Sequence, residues 1–398
     1  MTMMYQLHNK TIAVGVTGGI AAYKAAELVR AFKKSGAQVY VMMTKAACEF
    51  VTPLTFQTLS QNFVVSDMFG QPHTWEVEHI SLAKRADAIL ICPATANCIG
   101  KLAAGIADDF LTTTVMATTA PVLLAASMND QMYANAIVQE NILKLKSHGY
   151  TLIEPETGEL ACGTSGKGRL APLERILEAT AYAVTKKDLA GLRILVTAGP
   201  TQEAADPVRY LTNHSSGKMG YALARAAAAR GAAVTLVSGP VALRPPYGVT
   251  YIPVTTAQDM YQAVLPRMEH YDVIIKAAAV ADFRPKYVSE GKIKKYSGLV
   301  LELEQNPDIL SSLGERKSHQ LLIGFCMETE NLLSNAAKKL QEKHLDFIVA
   351  NDLTTEGAGF QSDTNVVTIL GRDGSKRSFP KTEKEKLADA ILDCCVER

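Results

Sequence analysis

Apolar residues along this chain gather in short, β-branched runs, and each run gives way to a turn of small residues and then to a stretch of helical spacing. The first run, residues 11–16, ends in Gly18-Gly19, after which residues 20–34 have helical periodicity. Residues 38–43, 86–92 and 121–126 repeat the strand pattern, with helical stretches between them. Runs that are apolar throughout, rather than alternating, predict a mostly parallel sheet covered on both faces.

A polar, glycine-rich stretch at 154–169 and a predicted helix at 173–187 follow, and the pattern then restarts at Leu192. The restart divides the chain into domains 1–190 and 191–398. In the second, residues 193–197, 233–237, 273–275, 321–325 and 347–350 read as buried strands, and 220–230, 257–268 and 331–343 as helices. Two doubly wound α/β domains follow, with sites expected at the carboxyl ends of their strands.

Such domains often bind dinucleotides, but the fingerprint is missing. The first turn reads Gly15-Val16-Thr17-Gly18-Gly19, the next strand ends at Thr44 rather than at an acid, and the second domain's second strand ends in Ser238-Gly239. A mononucleotide phosphate suits both turns better than NAD does.

Composition narrows the partners. The 398 residues, 47% hydrophobic and 20% charged, are enough for two sizeable cores, and a net charge of +1 provides no global field for nucleic acid or an acidic membrane. Small molecules or other protein chains remain. The first ten residues contain no apolar signal core, and apolar stretches such as 88–94 are too short to span a bilayer. Seven cysteines form no C-x-x-C pair. The expectation is a cytoplasmic protein with reduced thiols and no structural zinc.

Several turns have residue types suited to chemistry. The turn of VGVTGGIAAYK lets backbone approach an anion while the next helix points free N–H groups at it, although a Gly-Gly turn also serves as a plain connection. Cys92-Pro93-Ala94-Thr95-Ala96-Asn97 and Ala126-Ser127-Met128-Asn129 each end a buried run; both also read as loops with an Asn cap. Together the three turns describe a pocket. His79 opens a short predicted helix, where a solvated surface role is the alternative. Cys162 lies in ACGTSGKGR, read either as a lid over an anionic substrate or as a linker with an incidental thiol.

In this order, GGIAAYK, His79-Ile80, PATAN, Met128-Asn129 and the ACG-x-x-G-x-GR lid resemble the flavin-dependent phosphopantothenoylcysteine decarboxylases. The resemblance implies a flavodoxin-like or Rossmann-like domain that binds FMN through Gly18, Gly19, Ile20, Thr44, Thr95, Asn97 and Met128. It also implies His79 as base, Asn129 as holder of the substrate carboxylate and Cys162 as proton donor. An unactivated α-amido carboxylate has no electron sink, and the flavin chemistry implied by the family provides one.

The second half is similar to phosphopantothenate–cysteine ligases over essentially its whole length, and the domain order matches the bacterial bifunctional members. The matching segments are TAGPT, DPVR, NHSSGKMG, AAAVADFR, the basic loop Gly291-Lys292-Ile293-Lys294-Lys295 and Asn306-Pro307-Asp308-Ile309. Taken alone, these are also an N-cap, glycine-rich turns and a solvated lysine cluster. The resemblance implies a Rossmann-like domain using CTP and Mg²⁺, with Asn213 and Lys292 as catalytic residues. The implied nucleotide contacts are Lys276, Ala277, Ala278, Asp282, Lys292, the 306–309 turn, Phe325, Lys339 and Lys343. Lys339 and Lys343 stand at i and i+4, which places both on one helix face.

Two places depart from the family pattern: Ala126-Ser127 stands where Pro-Ala is expected, and Lys276 where a small residue is expected. Competing readings are an FMN-binding regulatory protein without turnover and an NAD(P)-dependent reductase. The joint presence of His79, Asn129 and Cys162 opposes the first, and the missing fingerprints oppose the second. The family further implies a homo-oligomer, a dodecamer with the ligase domains paired as dimers.

Overall fold

The computed structural model describes residues 4–70, 77–161, 163, 165–294, 299–328, 331–352 and 362–396. The chain forms two compact units, Met1–Thr185 and Lys186–Arg398. The division falls just ahead of the sequence restart at Leu192.

In the first unit six strands form one sheet: β1 (Thr11–Val16), β2 (Gln38–Met43), β3 (Val64–Val65), β4 (Ala88–Ala94), β5 (Val122–Ala126) and β6 (Thr151–Ile153). Their order is β3-β2-β1-β4-β5-β6, and every neighbouring pair is parallel. Strand order reverses between β1 and β4, so connections leave to opposite faces there and open a crevice at the carboxyl ends. The helix Ala22–Lys34 covers one face with Ala22, Ala25, Leu28, Val29 and Phe32, a single apolar stripe at helical spacing. Fully burying a side chain of the size of Leu28 or Phe32 stabilises the fold by about 1.5–3 kcal/mol.

Element ends differ from the sequence reading for local reasons. The first helix starts at Ala22 rather than at residue 20, because the Gly19 and Ala22 N–H groups bond to the carbonyls of Thr17 and Gly19 in successive turns. Strand β4 begins and ends later than expected and runs through Pro93. Proline has no N–H for the ladder, and the register with β5 shifts between Ile91 and Ala94 to accommodate it. The stretch expected as a lid or linker contains an antiparallel hairpin of β7 (Glu156–Glu159) and β8 (Ser165–Arg169).

In the second unit the strands are β9 (Arg193–Ala198), β10 (Gln202–Ala204), β11 (Tyr210–Thr212), β12 (Ala233–Ser238), β13 (Val249–Pro253), β14 (Val273–Lys276), β15 (Phe283–Pro285), β16 (Leu303–Gln305), β17 (Leu321–Glu328), β18 (Phe347–Asp352), β19 (Thr364–Gly371) and β20 (Lys376–Glu383). Eight of them form a sheet ordered β13-β12-β9-β14-β17-β18-β19-β20, parallel as far as β18 and antiparallel beyond. Its first six strands repeat the first unit's order, so a second crevice opens between β9 and β14.

The helices Lys218–Ala229 and Lys384–Asp393 pack on one face of this sheet through Leu223, Ala226, Leu387 and Ile391. Met260, Leu313 and Leu340 fill the other face. The helix expected over 257–268 is α-helical only to Val264 and continues as a 3-10 turn, Leu265–His270, because Pro266 cannot donate the next N–H. Among the described residues no helix is long and apolar enough to cross a membrane.

Candidate active sites

A cleft of about 1170 Å³ opens at the carboxyl ends of β1, β4 and β5. Gly18, Gly19, Ile20, Thr44, Thr95, Asn97, Met128 and Asn129 all line it, so eight residues singled out from sequence converge on one space. The turns that end β1 and β4 are joined by Thr17, 2% exposed, whose hydroxyl donates to the Pro93 carbonyl at 2.7 Å and accepts from the Thr95 N–H at 3.3 Å. Thr44 and Thr95 cap the helices that follow them, accepting from the N–H groups of Ala47 and Cys98. Replacing Thr17 with Val keeps the shape and removes the hydroxyl together with its bonds to the Pro93 carbonyl and the Thr95 N–H. Thr17→Val is therefore expected to lose about 1–3 kcal/mol, read as a lower thermal midpoint; an unchanged midpoint would show that the link contributes nothing.

Asn129 caps the helix Asp130–Ala134, its Oδ1 accepting from the Gln131 and Met132 N–H groups, which fixes the direction in which its amide nitrogen points. His79 does not line the cleft. It is half-buried in the helix Glu78–Arg85, its ring edge-on to Phe110 at 6.2 Å between centroids, and Phe110 does line the cleft. Cys162 lies outside the described residues; Leu160 and Ala161 before it and Gly168 after it line the cleft.

The hairpin is seated by a close backbone approach. A Cβ on Gly168 would lie 2.1 Å from the Met128 carbonyl oxygen, and the Met128 N–H bonds to the Gly168 carbonyl at 3.0 Å. Glu154 latches the hairpin's base: Tyr133 donates to it at 2.5 Å, and Lys146 and Lys167 each approach to 3.0 Å. Burial raises the Glu154 pKa, but these three bonds outweigh it and hold the carboxyl at about 2.

In the second unit a cleft of about 850 Å³ opens at the matching place. Asn213, Lys276, Ala277, Ala278, Asp282, Asn306, Pro307, Asp308, Ile309, Phe325, Lys339 and Lys343 line it. Residues 277–282 are strapped to the end of β9: Thr197 and Thr201 hydroxyls accept from the Ala278 and Ala281 N–H groups, and the Ala279 N–H bonds to the Gly199 carbonyl. Asn306 joins the strap by donating to the Ala281 carbonyl at 2.9 Å.

Asp308 caps the helix Ile309–Arg316 and binds Lys343 at 2.5 Å. Burial raises its pKa, but Lys343 and the Ser311 N–H outweigh this and hold it below the usual carboxylate range. Lys276 ends β14 with its ammonium lowered to about 8, first by burial and then by the like charge of Lys339, against the pull of Asp308 and Asp282. The cleft thus gathers cations that an anion would relieve.

Asn213 directs its Nδ2 at the Val280 carbonyl, 3.0 Å away, and at the Ala279 carbonyl, 3.3 Å away. Lys292 is exposed and does not line the cleft. Its loop is anchored beside it, where Asp206 accepts from the Ile293 N–H at 3.1 Å and Arg209 donates to the Ile293 carbonyl at 3.2 Å. Lys295 lies outside the described residues.

Residues 2–185 match the Flavoprotein family model, and residues 189–398 match the model described as DNA/pantothenate metabolism flavoprotein C-terminal domain. The chain is 50% identical over 391 residues to the Coenzyme A biosynthesis bifunctional protein CoaBC of Bacillus subtilis (strain 168), covering 97% of this chain and 96% of that one. It is 44% identical over 399 residues to the CoaBC of Escherichia coli (strain K12), covering 98% of each. The chain belongs to the CoaBC family.

Solved structures resemble it by parts. A crystal structure of a CoaBC C-terminal domain matches at 49% identity and a TM-score of 0.47, covering 53% of this chain and 97% of that one. A PPC decarboxylase mutant complexed with pantothenoylaminoethenethiol matches at 29% identity and a TM-score of 0.40, covering 44% of this chain and 97% of that one.

Within this CoaBC family chain, sequence reading missed Thr17 in the first cleft and Asn351, Asn365 and Lys384 in the second. Asn351 had a signal of its own: it closes the apolar run 347–350, as Asn97 and Asn129 follow theirs. Asn365 and Lys384 had none, because they belong to β19 and to a C-terminal helix whose packing is long-range.

Proposed function

We propose that residues 191–398 ligate 4′-phosphopantothenate to cysteine at the expense of CTP, and that residues 1–190 decarboxylate the product, 4′-phosphopantothenoylcysteine, to 4′-phosphopantetheine with FMN. The observation that carries this reading is the convergence of each motif set on its own cleft, one with glycine turns and apolar walls, the other ringed by lysines.

The first cleft fits FMN. The Gly18-Gly19 turn and Thr44 suit its phosphate, while Ile20, Met128 and Phe110 offer apolar walls for a flat ring system, with Thr95 and Asn97 as polar partners. Bound FMN would supply the reversible two-electron oxidation that the substrate needs before it can lose CO₂. Asn129 holds the substrate carboxylate through its amide nitrogen, His79 takes a proton and Cys162 returns one. His79 stands at the rim beside Phe110, which supports a site completed by a second copy of the chain.

In the second cleft the phosphopantothenate carboxylate attacks the α-phosphorus of CTP and pyrophosphate leaves. The cysteine amine then attacks the acyl-cytidylate, loses a proton and releases CMP. Lys276, Lys339, Lys343 and the closing Lys292 offset the triphosphate charge, with Mg²⁺ arriving on the nucleotide. Phe325, Ala277, Ala278, Asp282 and the 306–309 turn shape the nucleotide pocket. Asn213 supports the acyl phosphate once its amide turns from the Val280 carbonyl.

A cytoplasmic homo-oligomer, a dodecamer with ligase units paired as dimers, completes the proposal. Exposed Ile20, Leu54, Phe63 and Phe69 in the first unit, and Val208, Tyr210, Tyr287 and Val300 in the second, support association. The purified protein is expected to show a flavin absorption band, and to release CMP, pyrophosphate and CO₂ from CTP, Mg²⁺, phosphopantothenate and cysteine. A flavin band without CO₂ would favour the regulatory alternative, and a colourless folded protein would remove FMN from the proposal.

A further inference from the structure

The helices Lys218–Ala229 and Lys384–Asp393 lie side by side, and each begins with a lysine that lines the second cleft. Neither start has a side-chain cap. Gly217 precedes one with a φ of 73°, and Glu383 precedes the other. Two positive dipole ends therefore reach the cleft, although the Lys384 N–H is itself bonded to the Asp363 carbonyl at 3.0 Å.

Asn351 and Asn365 lie beneath them. Asn351 pairs with Val367 across β18 and β19, and Asn365, Val367, Ile369 and Gly371 are the buried positions of β19. Because side chains alternate along a strand, both asparagines share the face that these two helices cover. They are 1% and 2% exposed, they line the cleft, and the Oδ1 of each has no hydrogen-bond partner. A buried amide is left in this state where a ligand or an ordered water completes it.

Lys384, 6% exposed, donates to the Ser362 carbonyl at 2.6 Å, and Lys218 reaches Asp363 at 2.6 Å. Burial, then the like charge of Lys218, lowers the Lys384 ammonium to about 8, with Asp363 opposing. Lys276 responds instead to Lys339, Asp308 and Asp282. Lys218 and Lys384 thus meet around Asp363 and Ser362 in this cleft; the NHSSGKMG motif already pointed to the Lys218 helix start as a phosphate site, but no motif pointed to Lys384.

We infer that Lys384 and Asn365 form the subsite for the terminal phosphates of the nucleotide and hold the pyrophosphate as it leaves, an inference that rests on the ligase reading of this cleft. When the carboxylate oxygen bonds to the α-phosphorus, the bond from that phosphorus to the α–β bridging oxygen breaks. Its electron pair departs with the pyrophosphate. The added negative charge meets the Lys384 ammonium and the two helix starts, and an asparagine amide rotated about its last torsion presents N–H instead of oxygen.

The test measures binding of CTP, CMP and inorganic pyrophosphate, each with Mg²⁺, to the intact protein and to Lys384→Met, Lys384→Arg and Asn365→Asp. CTP and pyrophosphate are expected to weaken about tenfold or more in the Met and Asp variants, while CMP stays within roughly twofold and Lys384→Arg restores most of the loss. Should Lys384→Met fail to fold, Asn365→Asp places a repelling charge at the same wall and gives the same readout. CTP and CMP weakening equally, or neither weakening, overturns the inference alone. A parent protein that binds neither CTP nor CMP overturns the ligase reading and the inference with it.

Discussion

His79→Asn is expected to fold, to keep its flavin and to release CO₂ at least about 100-fold more slowly than the parent, the loss typical of a missing general base. His79 is half-buried near the start of the short helix Glu78–Arg85, and its only described ring contact is the edge-on one to Phe110. Asparagine is polar, of similar reach, and tolerated near a helix start, so the change should cost no more than about 0.5 kcal/mol of stability. Loss of turnover would then be loss of chemistry. Flavin absorbance, the thermal midpoint and CO₂ release measured on one preparation separate the two effects. CO₂ release near the parent rate from a flavin-loaded variant would remove His79 from the mechanism.

The second large effect divides the ligation into its steps. Lys292→Gln is expected to slow acyl-cytidylate formation by roughly 10²–10³-fold, because a charge that closes on the triphosphate acts where pyrophosphate departs. Its loop is anchored through Ile293 to Asp206 and Arg209, so the backbone should hold its place when the ammonium is gone. Asn213→Asp should instead let the intermediate form and then accumulate, since a carboxylate cannot donate to the acyl phosphate during attack by cysteine. Each variant is given CTP, Mg²⁺ and phosphopantothenate, pyrophosphate and acyl-cytidylate are followed, and cysteine is added last. Intermediate made at the parent rate by the Lys292 variant, or none made by the Asn213 variant, would show that the steps are assigned to the wrong residues.

The parallel strands were legible because a strand buried on both faces is apolar at every position, and β1, β2 and β9 stand out against polar turns. The glycine and asparagine turns were legible for a related reason: each follows such a run directly, so its place at a carboxyl end comes from local order. What stayed hidden depends on distant partners. In β19 alternate residues are buried, but two of the four half-exposed positions, Val366 and Leu370, are apolar too, and one buried position is Asn365, which masks the period. The hairpin β7–β8 looked like a linker because its glycines are needed for the approach of Gly168 to Met128, a contact across 40 positions of chain. Lys276 was legible as a nucleotide contact and as a departure from the family pattern, but its electrostatic setting was not, because it comes from Lys339, Asp308 and Asp282, which fold around it from other elements.

The outermost strands limit how copies of this chain can stick to one another. In the first unit the sheet stops at β3, two residues long, and β6, three residues long, too short to template an incoming strand. In the second it stops at β13, closed by Pro253, and at β20, whose sequence KRSFPKTE sets Lys376, Arg377 and Lys381 around Pro380. Proline interrupts the row of donors, and the charges repel a matching edge. Backbone-to-backbone stacking, the route to amyloid-like deposits, is therefore disfavoured at all four borders. Copies that join through the large sheets must therefore recognise one another by the fit of side chains on their faces and helices, which favours a defined assembly over an open-ended one.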